Sequence, residues 1–364
     1  VAILSALYGM AYTVNFDAVD PDDVVWFWYN EGLTEVEYQA AEELFLTPDG
    51  HVYIICRAIG GEYIAVAPAL GEPFVKIIDS VWINDNYPVC REGGVGARGG
   101  LVAFGINYNA GNEYAFIAGE YRLIDTVEKF DIYYNSLAPV SMSTSLTTGY
   151  PAGGMIYAQG HWYSALSSYS YNNAKVQIVE DGGSVKVVTT QAVSGTYTWL
   201  WAFGDENNKV VKAYPLSLPL KFTGDGTDYA EWTFDLYDGG GTQQNRFARF
   251  ACDPTGTMLM AVGVTNPVGA NLLGLYLSSD SGATWTKNLP IAAQEGFPYS
   301  LCIANGFDAN MWVVGREMEH IFWTFDQGVT WVNRAGNLFY GFSAYQFPVS
   351  LIRQIRIGYN APTQ

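Results

Sequence analysis

Two stretches of this sequence carry one phrase. Ser278–Pro290 reads SSDSGATWTKNLP, and Thr324–Gly336 reads TFDQGVTWVNRAG. Both spell Ser/Thr-x-Asp-x-Gly-x-Thr-Trp: Ser278, Asp280, Gly282, Thr284 and Trp285 align with Thr324, Asp326, Gly328, Thr330 and Trp331. The offset is 326 − 280 = 46 residues. That spacing lies in the range of about 40–50 residues that marks repeat architectures.

The flanking residues give the repeat its content. RFACDP, TMLMAVGV and NLLGLYLSSD precede the first phrase, and SLCIANG, NMWVVGR and HIFWTFD precede the second. Each unit is three short apolar runs, the phrase, and a fourth run, which is a four-stranded meander with the phrase in its last hairpin. Earlier segments keep the rhythm with a worn phrase, as where Asp181 and Gly183 remain without the Thr-Trp. Fourth runs near residues 35, 75, 130, 185, 232, 285 and 331 give seven units of roughly 45–55 residues. In TYTWLWAF, Tyr197, Trp199, Trp201 and Phe203 alternate with Thr198, Leu200 and Ala202, so both faces of the strand are largely apolar.

The expected fold is therefore an all-β propeller of four-stranded antiparallel blades, seven in preference to six or eight, in one domain over residues 1–364. The tail holds two more strand-like runs, FYGFSAYQF and LIRQIRIGY, and the first unit is short. The ring is expected to close by N- and C-terminal strands sharing a blade, because an open array exposes strand edges. One helix or insertion is expected where Thr34-Glu35-Val36-Glu37 makes a capping-box pattern ahead of YQAAEELFL.

Composition narrows the function. The 364 residues carry a formal charge of −18, which disfavours phosphate backbones and hence nucleic acid. Aromatic residues make up 15% of the chain, enough to build a large core. VAILSALYGMAYTV is apolar, lacks a basic leader and is shorter than the roughly 20 residues of a membrane span. Neither a membrane segment nor an intact signal peptide is expected. Cys56, Cys90, Cys252 and Cys302 form no CxxC pair and read mostly as buried thiols, with their disulfide state unreadable. His51, His161 and His320 are too scattered for a metal-site spacing.

The repeated phrase reads as a hairpin staple. An Asp carboxylate in a tight loop accepts bonds from backbone N–H groups two or three residues on. Gly282 and Gly328 supply a positive-φ position, the Ser/Thr hydroxyl ties loop to strand, and the Trp anchors the next strand. The phrase resembles the Asp box of the sialidase-like β-propellers. That resemblance implies a box on the blade periphery, away from the active face. It also implies, for an enzyme, an arginine cluster, a Tyr–Glu pair and an Asp acid, with the first arginine in a Phe/Tyr-Arg-Ile-Pro phrase. No such phrase occurs; Arg57, followed by Ala58, is its nearest positional stand-in, and Arg98, Arg249 and Arg316 are the other candidates.

Two acidic clusters, Asp17/Asp20/Asp22/Asp23 and Asp225/Asp228/Glu231, read as turn residues and lack a calcium-loop pattern. No metal and no cofactor is expected. Trp162, Tyr163, Tyr169 and Tyr171, beside Asn172 and Asn173, form a candidate glycan platform. The preferred reading is a non-catalytic structural or adhesion module at an extracellular or virion surface, such as a phage tail component. Its partners would be proteins or glycans, without membrane insertion. A sialidase-like glycoside hydrolase with a divergent site is the alternative, since fold does not decide activity.

Overall fold

A computed structural model of the chain describes residues 2–6, 9–33, 40–47, 50–58, 61–88, 98–107, 113–121, 128–134, 137, 139–140, 149–158, 161–168, 173–180, 185–192, 199–204, 209–214, 220–223, 228–231, 247–252, 259–263, 274–280, 284, 286–288, 302–305, 310–315, 321–334 and 352–357, part of these as backbone only. Among them the strands form seven four-stranded antiparallel sheets, lettered here in chain order. Sheet A runs Ile352–Ile357, Ala2–Ala6, Gly9–Thr13, Phe27–Trp28. Sheet B runs Ala40–Leu46, Val52–Ala58, Gly61–Ala67, Val75–Ile78. Sheet C runs Arg98–Asn107, Glu113–Tyr121, Glu128–Tyr134, Pro139–Val140, and sheet D runs Gly149–Ala158, His161–Ser168, Asn173–Glu180, Val185–Ala192. Sheet E runs Trp199–Gly204, Lys209–Tyr214, Leu220–Thr223, Asp228–Glu231. Sheet F runs Phe247–Cys252, Leu259–Gly263, Gly274–Ser278, Thr286–Asn288, and sheet G runs Cys302–Asn305, Trp312–Gly315, Ile321–Thr324, Val332–Asn333.

The chain divides into two compact units, residues 1–77 with 234–364, and residues 78–233. In the first unit, sheets F, G, A and B follow one another through their first strands, Phe247–Cys252 beside Cys302–Asn305, then Ile352–Ile357, then Ala40–Leu46. Sheet A is covered on both faces. Ala2, Ala11 and the loop residues Phe16, Val24 and Trp26 pack with Val313, Ile321 and Trp323 of sheet G. Ile3, Met10 and Tyr29 pack with Leu44, Val52, Ile54, Cys56, Tyr63 and Ala65 of sheet B. In sheet B the run Val52 to Cys56 is buried at every position, as the doubly apolar strands require. Cys56 is thus a buried thiol. In the second unit, Arg98–Asn107 of sheet C runs beside Gly149–Ala158 of sheet D, which runs beside Trp199–Gly204 of sheet E.

The C-terminal run LIRQIRI pairs antiparallel with the first strand, Leu4 opposite Ile355, so both ends of the sequence contribute to sheet A. Fourth strands differ from expectation in two sheets. Sheet A ends at Phe27–Trp28 rather than near residue 35, and sheet C at Pro139–Val140 rather than near 130. The capping-box residues 34–37 lie outside the described residues, but the AAEELFL that follows is a strand, Ala40–Leu46. Its backbone groups pair with VYIICRA, and that tertiary pairing overrides the helical preference of Ala, Glu and Leu. The α-helix among the described residues is Ser80–Asn86, where Asp79 caps by accepting from the Trp82 amide at 2.8 Å. No helix of the described residues is long and apolar enough to cross a membrane.

The passage from sheet A to sheet B is fixed by backbone shape. Gly32 has φ +83°, and a Cβ there would stand 2.1 Å from the Phe74 carbonyl oxygen. The close approach serves a bond from the Phe74 amide to the Glu31 carbonyl at 2.9 Å. The Tyr29 hydroxyl lies between the Ala69 and Glu72 carbonyls, at 3.0 and 2.9 Å, and shares its single proton between them. Gly32→Ala combines left-handed strain with a backbone clash and is expected to cost about 3 kcal/mol or more. A urea midpoint indistinguishable from the parent's would remove this account of the turn.

Candidate functional site

The two copies of the phrase fold alike wherever both are described. In the first, the Ser278 hydroxyl donates to Asp280 Oδ1 at 2.8 Å. The Thr284 amide donates to the same oxygen at 2.8 Å, and the Thr284 hydroxyl to Oδ2 at 2.5 Å. In the second, the Thr324 hydroxyl donates to Asp326 Oδ1 at 2.7 Å. The Thr330 amide and hydroxyl donate to Oδ1 and Oδ2 at 2.8 and 2.6 Å. Gly282 and Trp285 lie outside the described residues, and Trp331 is half-buried.

The geometry adds to the sequence expectation in one respect. Each aspartate takes a backbone bond from the Thr four residues on, and Asp326 takes another from Val329, three residues on. The hydroxyl is an acceptor as well: the Gly328 amide reaches buried Thr324 Oγ1 at 2.8 Å, and the Asp326 amide reaches it at 3.3 Å. Thr324 therefore accepts from the loop and donates its own hydroxyl hydrogen bond to the carboxylate. Gln327 (φ 60°) and Gly328 (φ 85°) both take left-handed backbone to make that turn. The Gln327 side-chain amide binds Asn310 Oδ1 at 3.0 Å, and its backbone N–H binds the Asn310 carbonyl at 3.1 Å. The second box is thus tied to the preceding hairpin.

Charge-assisted bonds hold both carboxylates ionised. Asp280 is pushed down to about 2 by the Thr284 hydroxyl first, then the Thr284 amide and the Ser278 hydroxyl. Asp326 is lowered by the Thr330 hydroxyl first, then the Thr330 amide, partly offset by desolvation. A carboxylate in this state has no proton to donate near neutrality. Because the folded value lies below the ordinary 3.8, the stabilisation is present above that value and lost as pH falls through about 2. An NMR titration of the Asp280 carboxyl is expected to place its midpoint near 2, with the box loop loosening over the same interval. A midpoint at the ordinary aspartate value contradicts the bonding described here.

Thr324→Val keeps the shape and removes the hub. It leaves the buried Gly328 N–H without its acceptor and is expected to cost about 1–3 kcal/mol. The check is thermal or urea unfolding of the variant beside Thr324→Ser, which retains the hydroxyl and should recover most of the loss.

The corner beside the second box was not visible in the sequence. Arg334 is buried, and its Nη1 donates to the Ala18 carbonyl at 2.5 Å. Its guanidinium carbon lies 5.4 Å from the Phe325 ring centroid. Its own carbonyl accepts from Trp26 Nε1 at 3.1 Å, and Phe16 stacks on Trp323 at 4.8 Å and 14°. Burial lowers the Arg334 pKa, and nearby Asp17 opposes that shift. A second unread cluster lies in the other unit, where the Tyr87 hydroxyl meets Asp131 Oδ2 at 2.8 Å and the Tyr133 hydroxyl at 2.7 Å. Trp82 of the helix stands edge-on to Phe116 and Tyr133. Burial first, then those two partners, raises the Tyr87 pKa, so the hydroxyl stays protonated and clamps the helix end to sheet C. No spacing rule links residues 87, 131 and 133, so only the fold reveals them.

The remaining candidates are placed as backbone positions. Arg57 lies in the second strand of sheet B, opposite Ala40 and Glu62, Arg98 opens sheet C opposite Tyr121, and Arg249 sits in the first strand of sheet F opposite Val262. Trp162 and Tyr163 lie in the second strand of sheet D, opposite Val179 and Ile178. Arg316, Tyr169 and Tyr171 lie outside the described residues. Among the described residues no three His, Cys, Asp or Glu side chains are grouped to hold a metal ion.

No family model matches the sequence, and no curated protein matches it. Among solved structures, the chain is similar to prolyl oligopeptidase B from Galerina marginata bound to a 25mer macrocyclization substrate. The TM-score is 0.54 at 11% identity, over 91% of this chain and 48% of that one. It is also similar to apo AztD from Citrobacter koseri, with a TM-score of 0.49 at 9% identity over 98% and 96% of the two chains. The chain spans about half the length of prolyl oligopeptidase B. The likeness to that propeller-type protein joins the four-stranded meanders in supporting a β-propeller fold.

Proposed function

We propose that this chain is an Asp-box propeller of the sialidase-like kind, seven-bladed and closed through sheet A, serving as a non-catalytic structural or adhesion module. The observation that carries the reading is the paired box geometry, in which Asp280 and Asp326 are each engaged by their own loop's hydroxyl and amide groups. Such carboxylates stabilise a hairpin and leave nothing for a substrate. The sequence adds support, since the Arg-Ile-Pro phrase that the resemblance implies for an enzyme is absent and Ala58 follows Arg57. A bidentate arginine–carboxylate contact is costly to lose, so its first member would not drift in a working sialidase.

On this reading the partners are proteins of a larger assembly or glycans, at an extracellular or virion surface. A chain of net charge −18 with few lysines suits selective contacts outside nucleic acid. The test is turnover of fluorogenic sialosides and common aryl glycosides by the parent and by Arg57→Ala. Neither protein is expected to exceed background. Parent activity that vanishes in the variant would promote a divergent glycoside hydrolase instead.

A further inference from the structure

We infer that the corner formed by residues 13–26 and the box hairpin of sheet G is a docking surface for a cationic protein segment that carries aliphatic or aromatic side chains between its charges. This rests on the reading of the chain as a partner-binding module and adds the place and the partner's chemistry.

The loop is held from within. Phe16, Val24 and Trp26 are buried against sheet G. The Asn15 side chain donates to the Asp23 carbonyl at 2.8 Å and accepts from the Val25 amide at 3.1 Å. Asp20 caps the short 3-10 turn Pro21–Asp23, accepting from the Asp22 amide at 3.0 Å. Arg334 anchors the far side through the Ala18 carbonyl. A surface fixed this way loses little conformational freedom when a partner binds.

What the loop holds outward is unusual for a turn. Val19 is 100% exposed, Val25 is 39% exposed, and Phe325 on the facing hairpin is 41% exposed. The contacts through Arg334 place Ala18, Trp26 and Phe325 around one side chain, so their neighbours Val19 and Val25 share this corner. Asp17, Asp20, Asp22 and Asp23 are exposed between and beside these apolar residues, and residues 14–27 contain no Lys or Arg. Arg334 is buried, and of these four carboxylates it offsets Asp17.

The arrangement selects the partner. The carboxylates are strung along the loop, and no three acidic groups of the described residues converge as an ion requires. Separated negative charges with apolar residues among them match separated positive charges with apolar residues among them. Nucleic acid and anionic lipid are repelled by the same field.

The test titrates the intact chain with a short synthetic peptide alternating lysine and leucine, and with a glutamate–leucine peptide as control, by calorimetry. The lysine peptide should bind and the control should not. Val19→Ser, at a fully exposed side chain, should leave the melting temperature unchanged and weaken binding roughly tenfold. Asp22→Asn with Asp23→Asn should weaken it comparably and flatten its dependence on salt. Glu31→Gln, an exposed acid elsewhere in sheet A's exit turn, should have no effect. No binding of the lysine peptide, or equal weakening by Glu31→Gln and by the loop variants, would overturn this site. Either result beside an absence of glycosidase turnover would leave the non-catalytic reading standing.

Discussion

A four-stranded sheet with two apolar faces has to be covered twice, and this constraint organises the first unit. Sheet A shows it most fully. One face meets Val313, Ile321 and Trp323, and the other meets Leu44, Val52, Ile54 and Cys56. The covering is achieved by repetition of one meander, with sheets G and B each supplying a cover for sheet A. Local devices such as Gly32 and the Tyr29 hydroxyl then set the passage from one sheet to the next.

The two Asp-Gly-Thr-Trp phrases answer a smaller problem of the same kind. The last two strands of sheets F and G are short, two to five residues, and share few ladder bonds. A hairpin that thin needs help from its loop. One carboxylate gathers a hydroxyl from the strand before it and both donors of the Thr four residues on. In sheet G the Thr324 hydroxyl takes the inner amide as well, which divides the work between two side chains.

Much of this was legible in the sequence, for reasons that also mark the limit. The repeated phrase was readable because a loop that needs Asp, Gly and Thr at fixed offsets leaves the same letters each time. Strands such as Val52–Ala58 and Trp199–Gly204 were readable from dense apolar runs. Ala40–Leu46, where a helix or insertion is expected, has letters that favour a helix, while its pairing with Val52–Ala58 decides for strand. The helix Ser80–Asn86 leaves little trace, since Val-Trp-Ile carries strand propensity and the Asp79 cap is its main start signal. Arg334 and the Tyr87–Asp131–Tyr133 cluster depend on contacts between residues far apart in sequence, up to 316 positions for the bond to Ala18. Such contacts leave no local pattern.

The pairing of Leu4 with Ile355 spans 355 − 4 = 351 residues. During synthesis, the strand Ala2–Ala6 therefore has its hairpin partner at once but its other neighbour only after most of the chain has been made. Until Ile352–Ile357 emerges, one edge of that sheet presents open N–H and C=O groups beside the buried-type residues Ala2 and Ile3. Closing so long a loop costs more entropy than any hairpin in the molecule. Completion of sheet A is thus a late step, and the nascent chain spends that interval with an adhesive edge that a chaperone or a neighbouring copy can find first.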